Sequence, residues 1–135
     1  MNCIFCEIAK GNIIANMVYQ DNLITCFLDS DPINEGHVLI IPNQHYSDID
    51  EIPEEVIFSI ISLARRIVTT LKEKYAPNGY SIMQNGGEFC DFGHYHMHVF
   101  PRYKNDGFAW SFSDDTANYS MAIANEIKDL LQTNS

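Results

Sequence analysis

The stretch His94-Tyr95-His96-Met97-His98-Val99-Phe100-Pro101-Arg102 contains three of the five histidines and alternates polar with large apolar side chains. Successive side chains of a β-strand point to opposite faces, so a strand over residues 94–100 places the three histidines on one face. Tyr95, Met97 and Val99 then lie on the other face, where they can pack on a helix. At roughly 3.3 Å per residue the outer histidines are ~13 Å apart, too far to share one metal ion. The pattern indicates two imidazoles for chemistry and one end histidine for a structural role.

Two imidazoles at neighbouring positions on one face offer a nucleophile and a hydrogen-bond donor. A neutral imidazole can attack through one ring nitrogen, and this pair suits attack on phosphorus, where positioning and charge stabilisation dominate. Just upstream, the glycines of Gln84-Asn85-Gly86-Gly87 allow close backbone approach to a ligand. The chain has no Walker-type Gly-Lys-Ser/Thr and hence no predicted triphosphate cradle. Incidental surface histidines, or a neighbouring pair that shares one metal ion, remain alternatives at this point.

The rest of the chain alternates strand and helix signals around this stretch. Helical spacing of apolar residues follows Pro53-Glu54-Glu55 and ends at Pro77-Asn78-Gly79, and a last helix is predicted over about residues 116–132. We predict an α+β fold in a single domain of residues 1–135, with an antiparallel sheet of about five strands and two main helices. The strands expected besides the histidine stretch are residues 17–19, 24–28, 37–41 and 80–84.

The overall charge and the cysteines limit the classes of partner. Eight basic residues against 18 acidic ones give a formal net charge of −10, which argues against nucleic-acid binding. No apolar run approaches membrane-spanning length, and the N-terminus lacks a signal-peptide pattern, so we expect a cytoplasmic protein. In a reducing compartment the four cysteines are thiols or metal ligands. The spacing Cys3-x-x-Cys6 is compatible with a zinc clasp, a redox pair or coincidence.

The histidine stretch also resembles a known signature. His94-x-His96-x-His98-Val99-Phe100 is similar to the motif of alternating histidines and apolar residues that marks the histidine triad (HIT) superfamily of nucleotide hydrolases and transferases. Further blocks that resemble the family are Ile4–Ile8, Phe27–Asp29, Gly36–Pro42 and His45, so the resemblance covers roughly residues 3–104. It implies an antiparallel sheet with helices and a homodimer whose two sheets join.

The resemblance implies roles for individual residues. His96 is the expected nucleophile that forms a nucleotidyl-histidine, and His98 is expected to hydrogen-bond the α-phosphate. Asp29 stands where the family binds the ribose hydroxyls, and Asn85 stands near the α-phosphate. Apolar residues that resemble the base pocket are Phe5, Ile8 and Phe27. His37 lies inside a predicted buried strand, so we expect it to be a core histidine without a catalytic role.

Two segments depart from the family pattern. The loop before the triad reads Phe89–His94 in a shortened form, and Asp91 replaces the family's hydroxyl at the phosphate or leaving group. An aspartate beside a phosphate is repulsive unless it is protonated or turned away. Cys90 and Asp91 are nevertheless candidate substrate contacts, although Cys90 can equally be an ordinary thiol. Trp110 lies in a second unmatched segment, where it can cover the nucleotide site, the dimer seam or the core.

The resemblance to the bacterial Hint-like branch also implies a structural zinc ion held by Cys3, Cys6, His45 and His94. The predicted function is phosphohydrolase or nucleotidyl transferase activity at the α-phosphate of purine nucleotides, of the phosphoramidate or dinucleoside polyphosphate type. One alternative is a nucleotide-binding regulatory module with little turnover. Another is a zinc enzyme in which the histidine strand holds a catalytic ion.

Overall fold

The computed structural model describes residues 3–134, in which five β-strands form one antiparallel sheet in the order β1-β2-β3-β5-β4. This arrangement confirms the predicted α+β class. The strands are β1 (Met17–Gln20), β2 (Ile24–Leu28), β3 (Val38–Pro42), β4 (Gly79–Met83) and β5 (Met97–Arg102). The helices are α1 (Ile4–Ala9), α2 (Glu54–Tyr75) and α3 (Met121–Thr133), with short 3-10 turns at Ile49–Glu51 and Gly87–Phe89.

Helix α2 covers one face of the sheet. Glutamates occupy its first turn and lysines its last, which complements the helix dipole, and Ala76 ends it in a left-handed conformation. Gly36 packs against its last turn, because an added Cβ there would come within 2.6 Å of the Tyr75 ring. The buried side chains of α2, spaced three or four residues apart, are Val56, Ile60, Leu63, Ala64, Ile67 and Leu71. As predicted, Tyr95, Met97 and Val99 pack in this core.

The opposite face of the sheet carries the short helix α1 and the histidines. Strand register aligns Phe27 of β2 with Leu39 of β3, and Leu39 with His98 of β5. Side chains that are paired across strands share a face, so these three side chains form a row across the sheet. Phe5 and Ile8 of α1 complete a small apolar cluster over this row. The histidine face is therefore partly covered by the start of the chain.

Two segments differ from the predictions. Strand β5 begins at Met97 rather than at residue 94, because β3 pairs with it only as far as Ile40 opposite Met97. Helix α3 begins at Met121 rather than near residue 116, where the Ser120 side chain caps it by accepting a hydrogen bond from the backbone N–H of Ile123. Trp110 is 87% exposed, which excludes core packing in its own chain among the three alternatives given for it.

None of the helices in residues 3–134 combines the length and the apolar character that a membrane crossing requires.

Candidate functional site

The tautomer of His96 is set by a contact with the backbone two residues earlier. Its Nδ1 lies 2.9 Å from the carbonyl oxygen of His94. A carbonyl only accepts hydrogen bonds, so Nδ1 carries the proton of the neutral ring. The lone pair is therefore on Nε2, which is the nitrogen of this ring that can act as a nucleophile.

A chain of hydrogen bonds sets the tautomer of His98. The backbone N–H of Ile33 donates to Nδ1 of His37 at 3.0 Å, so the proton of the neutral His37 ring is on Nε2. That Nε2 lies 2.9 Å from Nδ1 of His98 and donates to it. His98 consequently carries its proton on Nε2. It can donate a hydrogen bond from that nitrogen to an oxygen or nitrogen of a ligand.

Burial keeps the rings of His98 and His37 neutral. It lowers the pKa of His98 to about 4, and the charges of His96 and His37 act in the same direction. The Asp29 and Asp91 carboxylates oppose this shift without cancelling it. Burial also lowers the pKa of His37, although Asp29 lies 3.4 Å from its Nε2. At neutral pH His98 is therefore a neutral hydrogen-bond donor and not a cation.

An apolar cavity of about 250 Å³ lies beside the histidines. All four residues predicted for base and ribose binding line it, namely Phe5, Ile8, Phe27 and Asp29. Its other lining residues are Ile4, Ile13, Ile14, Ala15, Asn16, Leu28, Ser30, Leu39 and Phe92. The volume and the apolar lining of this cavity suit one planar aromatic ligand group, and Asp29 contributes a carboxylate to the lining.

The four other predicted substrate contacts, Asn85, Cys90, Asp91 and His98, lie outside the lining of this cavity. Asn85 and Asp91 are exposed, and Cys90 is half-buried. The Cys90 thiol lies 3.7 Å from the carbonyl oxygen of His94, so it contacts the backbone next to the site. The geometry thus brings the predicted apolar contacts together and places Cys90 against the triad backbone.

Aromatic side chains enclose the ring of His96. This side chain is only 4% exposed. The centroids of the Phe5 and Phe92 rings lie 5.2 and 5.7 Å from its own, and that of His98 lies 4.9 Å away. Phe92 is 49% exposed, so it is the outer part of this enclosure.

Four metal-ligating side chains meet at the other end of the triad. Ligand atoms of Cys3, Cys6, His45 and His94 all lie within 4.8 Å of one another. Nδ1 of His94 lies 3.4 Å from the sulfur of Cys3 and 3.5 Å from that of Cys6, and Nδ1 of His45 lies 3.4 Å from Cys6. Tetrahedral zinc, with Zn–S bonds of about 2.3 Å and Zn–N bonds of about 2.0 Å, separates sulfur from nitrogen by roughly 3.5 Å. The spacing of this cluster therefore allows a zinc ion.

The protonation of this cluster also fits a cation. Nε2 of His94 lies 2.9 Å from the carbonyl oxygen of Pro42, so it carries the proton and leaves Nδ1 free to ligate. Burial lowers the pKa of His94 to about 4, which keeps the ring neutral. Burial and the neighbouring Cys3 raise the pKa of the Cys6 thiol. A bound cation would lower this pKa, because it stabilises the thiolate.

A second group of possible ligands consists of Asp29, His37 and His98. Here the two imidazoles are joined by a direct hydrogen bond of 2.9 Å, and the remaining nitrogen of His37 accepts from a backbone N–H. Both nitrogens of His37 are thus engaged within the protein. The hydrogen bonding of this group therefore argues against a metal ion bound between His37 and His98.

Comparison with known proteins agrees with this geometry. The family model described as HIT domain matches residues 10–105, which is more than half of the chain. The chain belongs to the HIT family. This HIT protein is 39% identical over 114 residues to an uncharacterized HIT-like protein of Methanocaldococcus jannaschii, a match that covers 83% of the chain and 88% of the relative.

Two relatives of the HIT protein have names that state an activity. The adenosine 5′-monophosphoramidase of Schizosaccharomyces pombe is 29% identical to it, with 98% of this chain and 100% of the relative covered. The adenylylsulfatase of Arabidopsis thaliana is 28% identical, with 96% of this chain and 66% of the relative covered. HIT-family hydrolases are therefore among the relatives of this chain.

Solved structures share the fold of the HIT protein. A HIT family protein from Bacillus anthracis superposes with a TM-score of 0.88 at 33% identity, covering 99% of this chain and 97% of that one. A zinc-bound histidine triad family protein from Mycobacterium smegmatis gives a TM-score of 0.75 at 31% identity, with 85% of each chain covered.

The sequence of the HIT protein did not reveal all of the residues at the site. His37 is a buried, hydrogen-bonded histidine, as expected, but its direct hydrogen bond to His98 was not predicted. Phe92 encloses His96 and lines the cavity. The only available signal for His37 was a histidine at the start of an otherwise apolar strand. No local pattern marks Phe92, because its contact with Phe5 depends on how the loop folds over α1.

Proposed function

We propose that the HIT protein hydrolyses nucleotides at the α-phosphorus through a nucleotidyl intermediate on His96. The observation that carries the proposal is the hydrogen bond from Nδ1 of His96 to the carbonyl of His94, which leaves a lone pair on Nε2. The hydrogen-bonded chain through His37 makes His98 a neutral donor beside it. A nucleophile and a donor for a phosphoryl oxygen are the groups that this chemistry needs.

The proposed hydrolysis has two steps. In the first, Nε2 of His96 forms a bond to phosphorus, and the bond to the leaving group breaks with its electron pair. An amine leaving group takes one proton from the aqueous cleft. In the second, water attacks phosphorus, its oxygen stays on the product phosphate, and it releases one proton. The electron pair of the phosphorus–nitrogen bond returns to Nε2, which restores the neutral ring.

The cavity next to the histidines accounts for nucleotide binding in this proposal. A purine base lies among Phe5, Ile8 and Phe27, and the ribose hydroxyls are hydrogen-bonded by Asp29 at the edge. The α-phosphate then extends toward His98, with Asn85 as a further candidate donor. The hydrolase names of two relatives support a nucleotide with an amine or an acid as its leaving group.

The decisive test combines turnover with binding. Wild-type protein is incubated with adenosine 5′-phosphoramidate and with a diadenosine polyphosphate, and release of AMP is measured. His96→Ala should lose at least about a thousandfold in kcat, while the Kd for AMP stays within a few-fold. Comparable turnover in His96→Ala would overturn the proposed nucleophile.

The same assay addresses the alternative of a nucleotide-binding regulatory module. The burial of His96 behind Phe5 and Phe92 favours this alternative, because the nucleophile is not open to solvent. A binding module would give a measurable Kd for AMP without product from any of these substrates. Turnover that disappears in His96→Ala would exclude it.

We further propose that Cys3, Cys6, His45 and His94 hold a structural zinc ion. The sulfur–nitrogen distances of 3.4 to 3.5 Å support this assignment, and so does the zinc-bound relative of the same fold. A bound ion supplies a cross-link between α1 and the residues before β5. A cytoplasmic location, where these thiols stay reduced, is part of this proposal.

A homodimer is also proposed. Strand β4 is at an edge of the sheet, and its Tyr80 and Ile82 are exposed beside the exposed Ile61 of α2. A groove lined by apolar residues of both elements lies between them. Pairing of two β4 strands would satisfy the unpaired backbone N–H and C=O groups of each edge strand, and it would bury this apolar surface.

A further inference from the structure

The loop that precedes the triad is anchored to the catalytic site on both sides of Asp91. The thiol of Cys90 lies 3.7 Å from the carbonyl oxygen of His94, which is the carbonyl that also accepts from His96. On the other side, the ring of Phe92 packs 4.5 Å from that of Phe5 and 5.7 Å from that of His96. Consecutive Cα atoms are about 3.8 Å apart, so the backbone of Asp91 is held beside the site.

The carboxylate of Asp91 is exposed and forms no ion pair within the described part of the chain. It is near enough to His98 for its negative charge to raise the pKa of that ring against the larger effect of burial. Phe92 lines the nucleoside cavity and Asp91 does not, so the charge lies outside the space proposed for base and ribose.

The surroundings of the proposed phosphate position are short of positive charge. The largest charge effects on the pKa of His98 come from two histidines and two aspartates, and none of them comes from a lysine or an arginine. No basic residue occurs between Gly11 and Ala64. The guanidinium of Arg102 is engaged by Asp106, with Nε 2.6 Å from a carboxylate oxygen. The main charges near the proposed phosphate position therefore include no cation that would stabilise a negative leaving group.

We propose that Asp91 selects the leaving group, favouring departing amines over departing anions. This inference rests on the proposed function. When the phosphorus–nitrogen bond breaks, the departing nitrogen gains a proton and becomes neutral or positive, which the carboxylate tolerates or stabilises. Sulfate or a phosphate chain departs with negative charge, which the same carboxylate repels.

The test compares two substrates that share the adenosine and the α-phosphorus and differ in the leaving group. These are adenosine 5′-phosphoramidate and adenosine 5′-phosphosulfate. Asp91→Asn should lower the ratio of kcat/KM for the phosphoramidate to kcat/KM for the phosphosulfate about tenfold, the size expected for one unit charge in a partly hydrated site. The change in the ratio should shrink as salt is added.

Glu88→Gln is the matched control. Glu88 is exposed in the preceding turn of the same loop, and its charge is not among the largest effects on the pKa of His98. This variant removes one negative charge and should leave the ratio unchanged. If Asp91→Asn changes both substrates by one common factor, or if Glu88→Gln moves the ratio equally, the proposed selection is wrong although the hydrolase function stands.

A binding measurement separates this inference from failure of the proposed function. Calorimetry with AMP and with ADP reports the cost of an additional anionic phosphate without turnover. Asp91→Asn should strengthen binding of ADP relative to AMP about tenfold compared with wild type. An unchanged ADP-to-AMP ratio overturns the role of Asp91. Absence of AMP release by wild type from either substrate, with no adduct on His96, overturns the hydrolase proposal instead.

Discussion

Nε2 of His37 lies 2.9 Å from Nδ1 of His98, although the two residues are 61 positions apart in the chain. The backbone N–H of Ile33 determines the direction of this hydrogen bond, because it occupies the other nitrogen of His37. The proton of His98 is thereby held on the nitrogen that is available to a ligand. His37 acts through His98 and is therefore a positioning residue.

Removing this contact should slow turnover without abolishing nucleotide binding. His37→Ala deletes the donor to His98 and frees its tautomer, so kcat should fall about tenfold to a hundredfold while KM changes little. The ring-nitrogen NMR signals of His98 should show a mixture of tautomers. His37→Gln, whose amide can donate to the same nitrogen, should recover part of the rate. A rate loss without any tautomer change would contradict the positioning role.

The neutral state of His98 predicts an unusual titration. Burial lowers the pKa of this ring to about 4, so its NMR signals should shift with a midpoint near pH 4 rather than near the ordinary value of 6.5. A midpoint close to 6.5 would show that the ring is better hydrated than its burial indicates. His96→Ala should raise the midpoint, because the charge of His96 contributes to the lowering.

The same shift predicts how stability depends on pH. The unfolded chain takes up a proton on His98 below about 6.5, whereas the folded chain does not until about 4. The contribution of this ring to the free energy of unfolding should therefore be complete above pH 6.5. It should decrease as the pH falls from 6.5 to about 4. Denaturant titrations at several pH values measure it. The pH dependence should be weaker in His98→Gln than in the wild type.

Loss of one cysteine should remove the proposed zinc. Cys6→Ser deletes the sulfur that lies within 3.5 Å of both His45 and His94, so bound zinc measured by elemental analysis should fall from one equivalent to near zero. The melting temperature should decrease with it. Cys90→Ser, a thiol outside the cluster, serves as the control for metal content. Full zinc content in Cys6→Ser would contradict the assigned ligands.

The proposed dimer predicts a mass of twice 15.4 kDa in sedimentation equilibrium. Ile82→Lys places a charge in the exposed apolar surface of edge strand β4 and should shift the protein toward monomer. Val18→Lys on β1, the strand at the opposite edge, is the matched control and should leave the mass unchanged. Equal dissociation by both variants would place the interface elsewhere.

Local sequence patterns were sufficient to predict the sheet, α2 and the sides on which the triad residues lie. Alternation with a period of two determines those sides even where pairing stops, so His94 and His96 keep their orientation ahead of β5, which starts at Met97. The start of α3 was misplaced because apolar spacing continued upstream of the cap at Ser120. Spacing alone could not choose among the interpretations of the Cys3–Cys6 pair, since its two further ligands are distant in sequence.

The parts of the site that could not be predicted depend on tertiary register. His37 approaches His98 because β3 and β5 pair with Leu39 opposite His98. Phe92 reaches His96 because Gly93, with φ of +63°, turns the chain between Phe92 and the triad. The cavity wall formed by residues 13–16 comes from a segment without hydrophobic periodicity. Contacts of this kind leave no short-range pattern in a sequence.

In the proposed reaction, Nε2 of His96 forms a bond to the α-phosphorus. Protein mixed with adenosine 5′-phosphoramidate is quenched within one turnover, digested and examined by mass spectrometry for an added AMP. The adduct is expected on the peptide that contains His96, joined through Nε2, and no adduct is expected in His96→Ala. An adduct on another residue, or one joined through Nδ1, would contradict it.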